Sequence, residues 1–389
     1  MFDSPLLVDT STTIPAAEAP KVWVLFCKRA GENTQLTALA EGLGWPFAVK
    51  QFNYRDLEPL IGLPFLPTKA GIADVSVGGP LEGPWPEIVL TAGRQNEPIA
   101  RWIRRQSGGR TRIVHVGRPW SPVSDYDLVV ATRQYGLPEA PNVLLNDLPL
   151  HRVSGEALGQ ALGVWAKRVI HLPRPRIAVL VGGPAGPFAF GPKAAARLGE
   201  MLSARANAIG GSLLITTSAR TPEAASDALE AAITAPALLY RYNRSSGENP
   251  YLGFLSLADE VVVTADSLSM VAEALATGKP VRLFHPGGFF GKAEPFGRDS
   301  TREDRQVSPS LYRSLLSVLP ARVMKDMRPI HDQLIASGRV TWLGDEAAQP
   351  AAPGRPQPSR DVARAVARVR ALVRREAPRP VREPLPTAA

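Results

Sequence analysis

Short runs that are apolar from end to end alternate with helix-period segments along most of this chain, and that alternation leaves few architectures open to it. In the first half such runs lie at 21–27, 87–91, 112–116 and 128–131, with weaker ones at 46–52 and 143–145. In the second half they recur at 177–181, 213–217, 238–240, 260–264 and 281–284. A strand with one wet face alternates polar and apolar side chains, whereas a strand apolar throughout is covered on both faces. Helical spacing fills the intervals. Leu36, Leu39, Ala40 and Leu43 share one face over 33–43, and helices are expected at 98–106, 155–170, 193–208, 222–233 and 250–257. Apolar strands separated by helices form parallel sheets with helices on both sides.

A chain of 389 residues can fill two such cores. The fold expected is therefore α/β, with two Rossmann-like parallel-sheet domains facing a cleft. The first domain spans 20–150 after a disordered leader at 1–19, and a linker helix occupies 151–176. The second domain spans 177–345, and a Pro/Arg-rich tail follows at 346–389. Residues 57–84, rich in Gly and Pro, read as an irregular excursion. Helices near 311–318 and 322–337 are expected beyond the last strong strand.

Composition narrows the function classes. No run approaches the roughly 20 apolar residues of a membrane span. The first residues lack a basic region followed by an apolar one, so a cytoplasmic protein is expected. Cys27 is the single cysteine, and the five histidines show no ligand spacing, so neither a disulfide framework nor a metal site is expected. The formal charge is +9, and the nine Arg, one Asp and two Glu from Arg355 onward contribute +6 of it. The excess sits in one amphipathic helix and its surroundings, with no aromatic-basic module for nucleic acid. Val362, Val366, Val369 and Val373 form one face of that helix, opposite Arg360, Arg364, Arg368 and Arg375. The valines could rest on an anionic inner-membrane surface or dock on the protein body. The lack of a Trp or Phe anchor favours docking or partial disorder.

The strand-to-helix junctions hold the chemistry. Residues 264–284 read as strand tip, helix and strand, with Asp266, Ser267 and Ser269 crowding the helix start. Met270, Val271, Ala274 and Leu275 supply the inward face, and Gly278 and Pro280 end the helix. Free N–H groups there suit a diphosphate, and Glu273 one turn on could hold ribose hydroxyls. The same residues could equally do no more than cap the helix. Gly182 and Gly183 follow the first strand of the second half with the wrong spacing for a dinucleotide or phosphate loop. They could still let a sugar nucleotide approach the backbone. Thr217, Ser218 and Arg220 end the next strand, where Arg220 could balance phosphate charge. Asn243 and the turn at 247–251 could line the same place.

In the first half, Gly31, Glu32, Asn33 and Gln35 open the first helix. Glu32 could take a proton from a hydroxyl, or Glu32 or Asn33 could simply cap that helix. Arg94, after Gly93 at a strand's carboxyl end, could grip a carboxylate or phosphate. Trp102 and Ile103 read as core, and Arg101, Arg104 and Arg105 as solvated.

Several segments taken together resemble a known family. They are 31–35 (Gly-Glu-Asn-Thr-Gln), Gly93-Arg94, 101–104 (Arg-Trp-Ile-Arg), 117–120 (Gly-Arg-Pro-Trp), 127–130 (Asp-Leu-Val-Val), 249–251 (Asn-Pro-Tyr), 266–270 (Asp-Ser-Leu-Ser-Met), Glu273 and 277–281 (Thr-Gly-Lys-Pro-Val). In this order, from about residue 21 to 285, they resemble the mitochondrial-fission "elongated mitochondria" family, which has many bacterial members. That family is similar to glycosyltransferases of the GT-B architecture. The resemblance implies an inverting, metal-independent transferase that needs no cofactor beyond its nucleotide-sugar donor. Its acceptor would be an envelope glycolipid or polysaccharide, with membrane contact at most peripheral. It places diphosphate and ribose on Ser267, Ser269, Met270 and Glu273, and the base on Glu32, where the family more often has Asp. A non-catalytic fission adaptor and a sugar-nucleotide epimerase are the rival readings.

Overall fold

The computed structural model describes residues 19–55, 66–185, 190–242, 248–286, 327–345, 347–348, 354–356 and 358–374. Most of the expected leader, Asn243, the helix at 311–318, the start of the one at 322–337 and the end of the tail lie outside the described residues. The chain divides into two compact units. One runs to Val130 and adds Ala140–Leu144 and the chain from Val362 onward; the other comprises Ala131–Glu139 and Leu145–Asp361.

The first unit holds β1 (Val22–Phe26), α1 (Ala30–Leu43), β2 (Phe47–Tyr54), β3 (Ile72–Val77), β4 (Ile88–Ala92), α2 (Asn96–Gln106), β5 (Arg112–Val116), β6 (Leu128–Thr132) and β7 (Val143–Asn146). Their sheet runs in the order β3-β2-β1-β4-β5-β6-β7. The strands from β2 to β6 pair in parallel. β4 and β6 are buried at every position, which is why their sequences carry no alternation. β3 corrects the expectation of an irregular excursion at 57–84. It pairs antiparallel with β2 at the sheet edge, and its mostly exposed residues include Asp74 and Ser76, which hide a strand signal.

The second unit holds α3 (Gly155–Trp165), β8 (Arg176–Val181), α4 (Pro192–Ala208), β9 (Ser212–Thr217), α5 (Glu223–Ala232), β10 (Ala237–Tyr240), α6 (Tyr251–Leu257), β11 (Glu260–Thr264), α7 (Leu268–Ala276), β12 (Val281–Phe284), α8 (Arg328–Ala336) and β13 (Thr341–Trp342). The sheet order is β10-β9-β8-β11-β12-β13, and every pair is parallel. The core lies on both faces. Trp165, Phe254, Leu268 and Val271 belong to one cluster, and Phe190, Leu198, Leu202 and Leu229 to the other.

The last described helix, α9 (Arg360–Arg374), docks on protein. Ala365, Val366 and Val369 are buried, at about 1.5–3 kcal/mol for a fully buried aliphatic side chain. Gly42 in α1 is bare where they land: a β-carbon there would come within 2.9 Å of Val366 and 3.1 Å of Val362. Arg370 Nη2 donates to the Leu43 carbonyl at 2.9 Å, which answers one of the open acceptors at the end of α1. Among the described residues no helix is long and apolar enough to cross a membrane.

In each sheet the strand order reverses beside the first strand, between β1 and β4 and between β8 and β11. Open α/β sheets bind ligands beyond the carboxyl ends of strands at such reversals.

Candidate functional site

At the β8–β11 reversal the polar groups are tied to one another. Asp266, whose side chain is fully buried, accepts the Gly183 N–H at 2.9 Å and pairs with Arg220 Nη2 at 3.0 Å. Burial pushes the Asp266 carboxyl up, opposed by Arg220 and the Gly183 amide. A β-carbon on Gly182 would lie 2.1 Å from Asp266 Oδ2, and one on Gly183 2.2 Å from the Arg220 carbonyl. Only glycine allows this approach. Thr264 Oγ1 accepts the Gly182 N–H at 2.8 Å. Ser218 Oγ donates to the Gly182 carbonyl at 3.1 Å, and Ser218 N–H donates to Thr221 Oγ1 at 2.9 Å. Thr217 Oγ1 accepts the Tyr242 N–H at 3.0 Å. The structure thus brings Gly182, Gly183, Thr217, Ser218, Arg220 and Asp266 together. Half of the Arg220 side chain reaches solvent.

The start of α7 follows directly on that knot. Ser267 occupies the N-cap, but no side chain caps the helix. The first helical amide to be bonded is Val271, to the Ser267 carbonyl at 3.0 Å. Among the described residues no acceptor takes the amides of Leu268, Ser269 and Met270. Such amides, with the helix dipole behind them, attract anions. Ser267, Ser269 and Met270 are half-buried here, and Met270 also packs on the core. One turn on, half-buried Glu273 accepts the Tyr251 hydroxyl. Burial pushes the Glu273 carboxyl up to about 7, with the Tyr251 bond pulling the other way. Tyr251 was not singled out from the sequence as a site residue. Its signal was the turn at 249–251, where Asn249 Oδ1 accepts the Tyr251 N–H at 3.0 Å.

In the first unit, α1 starts at Ala30, so Gly31, Glu32, Asn33 and Gln35 lie in its first turns. Asn33 caps nothing. Its amide clamps Cys27 through the N–H at 2.8 Å and the carbonyl at 2.9 Å, seating the helix on β1. Glu32 Oε2 takes the Cys27 thiol at 3.2 Å, and Oε1 takes Arg29 at 3.1 Å. Burial, and then the Glu32 charge, push the thiol up to about 12, so it stays protonated and donates. Gly31 is exposed, and its carbonyl accepts Gln35 Nε2 at 3.4 Å. Gly93, at φ 77°, lets β4 end against this group; a β-carbon on it would be 3.2 Å from both Cys27 Cβ and Glu32 Oε2. Exposed Arg94 lies over the Trp120 ring at 4.8 Å.

Asn96, one of the amides of the loop after β4, and Glu97 are both buried here. Asn96 Nδ2 donates to the carbonyls of Leu25, Phe26 and Ala92 at 3.0, 3.1 and 3.2 Å. Glu97, fully buried, accepts Trp120 N–H at 2.8 Å, Ser121 N–H at 3.0 Å and Ser121 Oγ at 2.9 Å. The arginines expected in solvent are partly engaged instead. Arg101 pairs with Asp125 at 3.1 Å, and Arg104 pairs with Asp127 and donates to the Thr111 carbonyl at 3.1 Å. They hold the segment before β6 onto α2.

Comparison with known proteins bears on these residues. The chain is 31% identical over 218 residues to the mitochondrial fission protein ELM1 of Arabidopsis thaliana, a match covering 50% of this chain and 51% of that protein. It thus spans about half the length of that relative. Among solved structures, it resembles a UDP-GlcNAc 2-epimerase from Methanocaldococcus jannaschii at 10% identity and a TM-score of 0.46, covering 91% of this chain and 99% of that one. It resembles a glycosyltransferase from Rickettsia africae at 12% identity and a TM-score of 0.38, covering 82% and 94%. The sequence pattern of the family described as mitochondrial fission ELM1 matches residues 30–304, and the chain belongs to that family.

Proposed function

We propose that this chain is a glycosyltransferase that moves a sugar from a nucleotide-sugar to a hydroxyl of an envelope glycolipid or polysaccharide, with inversion and without a metal. The second unit would hold the donor and the first the acceptor. The observation that carries this reading is the row of unbonded amides at Leu268, Ser269 and Met270 beside the β8–β11 reversal, with Glu273 one turn away. A diphosphate placed there meets N–H donors, the helix dipole and the Arg220 guanidinium, and a ribose meets a carboxylate. Glu32 would take the acceptor proton as the hydroxyl oxygen bonds to the anomeric carbon. The sugar–phosphate bond breaks, and the nucleoside diphosphate leaves with its charge stabilised by those donors.

Calorimetric titration of the full chain with UDP, GDP, ADP and their sugars tests this. One nucleotide is expected to bind and raise the melting temperature, and Glu273→Ala to weaken it. Release of that nucleotide from its sugar should then require an acceptor and fall about 10²–10⁴-fold in Glu32→Gln. If no nucleotide binds and Glu273→Ala changes nothing, the chain is an adaptor. If the donor is converted with no acceptor present, it is an epimerase.

A further inference from the structure

The carboxyl edge of the first sheet carries a second recurring arrangement. Lys28, just past β1, lies over the Tyr54 ring at the end of β2, 5.5 Å from its centroid. Arg94, just past β4, lies over the Trp120 ring beyond β5. In the order β2-β1-β4-β5 these are the ends of four adjacent strands, and Glu32 sits at the reversal in their middle. Among the described residues, Lys28, Arg29 and Arg94 are exposed cations along this edge, and Arg29 pairs with Glu32 at 3.1 Å.

Both rings are held from behind. The Tyr54 hydroxyl donates to Asn96, and Asn96 is fixed by three carbonyls. The Trp120 backbone is fixed by Glu97, a carboxylate at 0% exposure that accepts three bonds from Trp120 and Ser121. The Ser121 hydroxyl also meets Tyr126 at 2.6 Å. A buried charge is a costly way to hold a surface loop. Trp120 nevertheless remains 38% exposed.

We infer that this edge binds a sugar ring that carries a negative charge, either a uronate carboxylate or a phosphate. The inference rests on the transferase reading and gives its acceptor a chemical class. A guanidinium already stacked on an indole loses little freedom when it pairs with an oxyanion. The uncovered part of the indole offers an apolar surface to the C–H groups of the ring.

The test uses the full chain with ¹⁵N-labelled tryptophan, and Trp120→Phe identifies the Trp120 indole signal. The probes are methyl glucuronide, glucose 1-phosphate, glucose and inorganic phosphate. A charged sugar should shift that signal saturably and bind about tenfold more tightly than glucose or phosphate, a difference near 1.4 kcal/mol that Arg94→Gln abolishes. A response to only one of the two charged sugars supports the inference and identifies the anion. Equal binding of glucose, equal binding of phosphate alone, or no movement of the Trp120 signal overturns it. Nucleotide binding is read separately. If it persists while the sugar anions fail, this inference falls and the transferase reading stands; the reverse result removes the transferase reading and keeps this site.

Discussion

Both units bury a carboxylate at the carboxyl edge of their sheet, and the two are used differently. Glu97 is fully buried, and its bonds to Trp120 and Ser121 come from neutral donors. Asp266 is equally buried, but its charged partner, Arg220, is 42% exposed. The first arrangement fixes a preformed surface. The second keeps a guanidinium where an arriving phosphate could take it over from the carboxylate. The first edge therefore presents side chains held in place, while the second leaves backbone amides open at the start of α7.

Substitution puts numbers on that contrast. Glu97→Ala should cost the most, about 3–5 kcal/mol in urea denaturation, because it leaves the buried Ser121 amide and hydroxyl without their carboxylate acceptor. A loss below about 1 kcal/mol would mean that the Trp120 loop does not depend on it. Asp266→Ala should cost about 1–3 kcal/mol, since Arg220 can rehydrate and chiefly the Gly183 amide is left unpaired. Equal costs for the two would erase the difference drawn here. Glu273 gives a pH signature. Its carboxyl keeps its proton in the folded chain to about pH 7, against an ordinary value of 4.5. The unfolded chain binds fewer protons across that window, so stability should fall as pH rises from 4.5 to 7, by on the order of 2 kcal/mol. Glu273→Gln should flatten the curve of stability against pH. Arg29→Ala should do least, a few tenths of a kcal/mol, because the side chain is 70% exposed in its pair with Glu32. A larger loss would show that Glu32 depends on that pair for its place.

What could be read from the sequence follows from the physics of burial. Strands covered on both faces, such as β4, β6, β8 and β9, appear as mainly apolar runs without polar–apolar alternation. The edge strands β3 and β13 do not: one is largely wet and the other is two residues long. The chain segments at the sheet ends were legible too, because Gly, Ser and Arg gather there. The bonding within them was not. Glu97 looks like an ordinary acid in the first turn of a helix, and its partners lie 23 and 24 residues away. Asn33 looks like a cap, and its partnership with Cys27 emerges only when α1 folds back onto β1. Local spacing cannot reveal a bond that tertiary packing creates.

The helix from Arg360 to Arg374 has a consequence for how the molecule is made. Its valines cover the bare backbone at Gly42, and Arg370 reaches the Leu43 carbonyl, more than 300 positions earlier in the chain. Synthesis runs from the amino end. The first sheet therefore waits for a segment more than 300 positions beyond α1 before its last piece arrives. A fragment stopped at residue 150 would contain every strand of that sheet and still be unfinished.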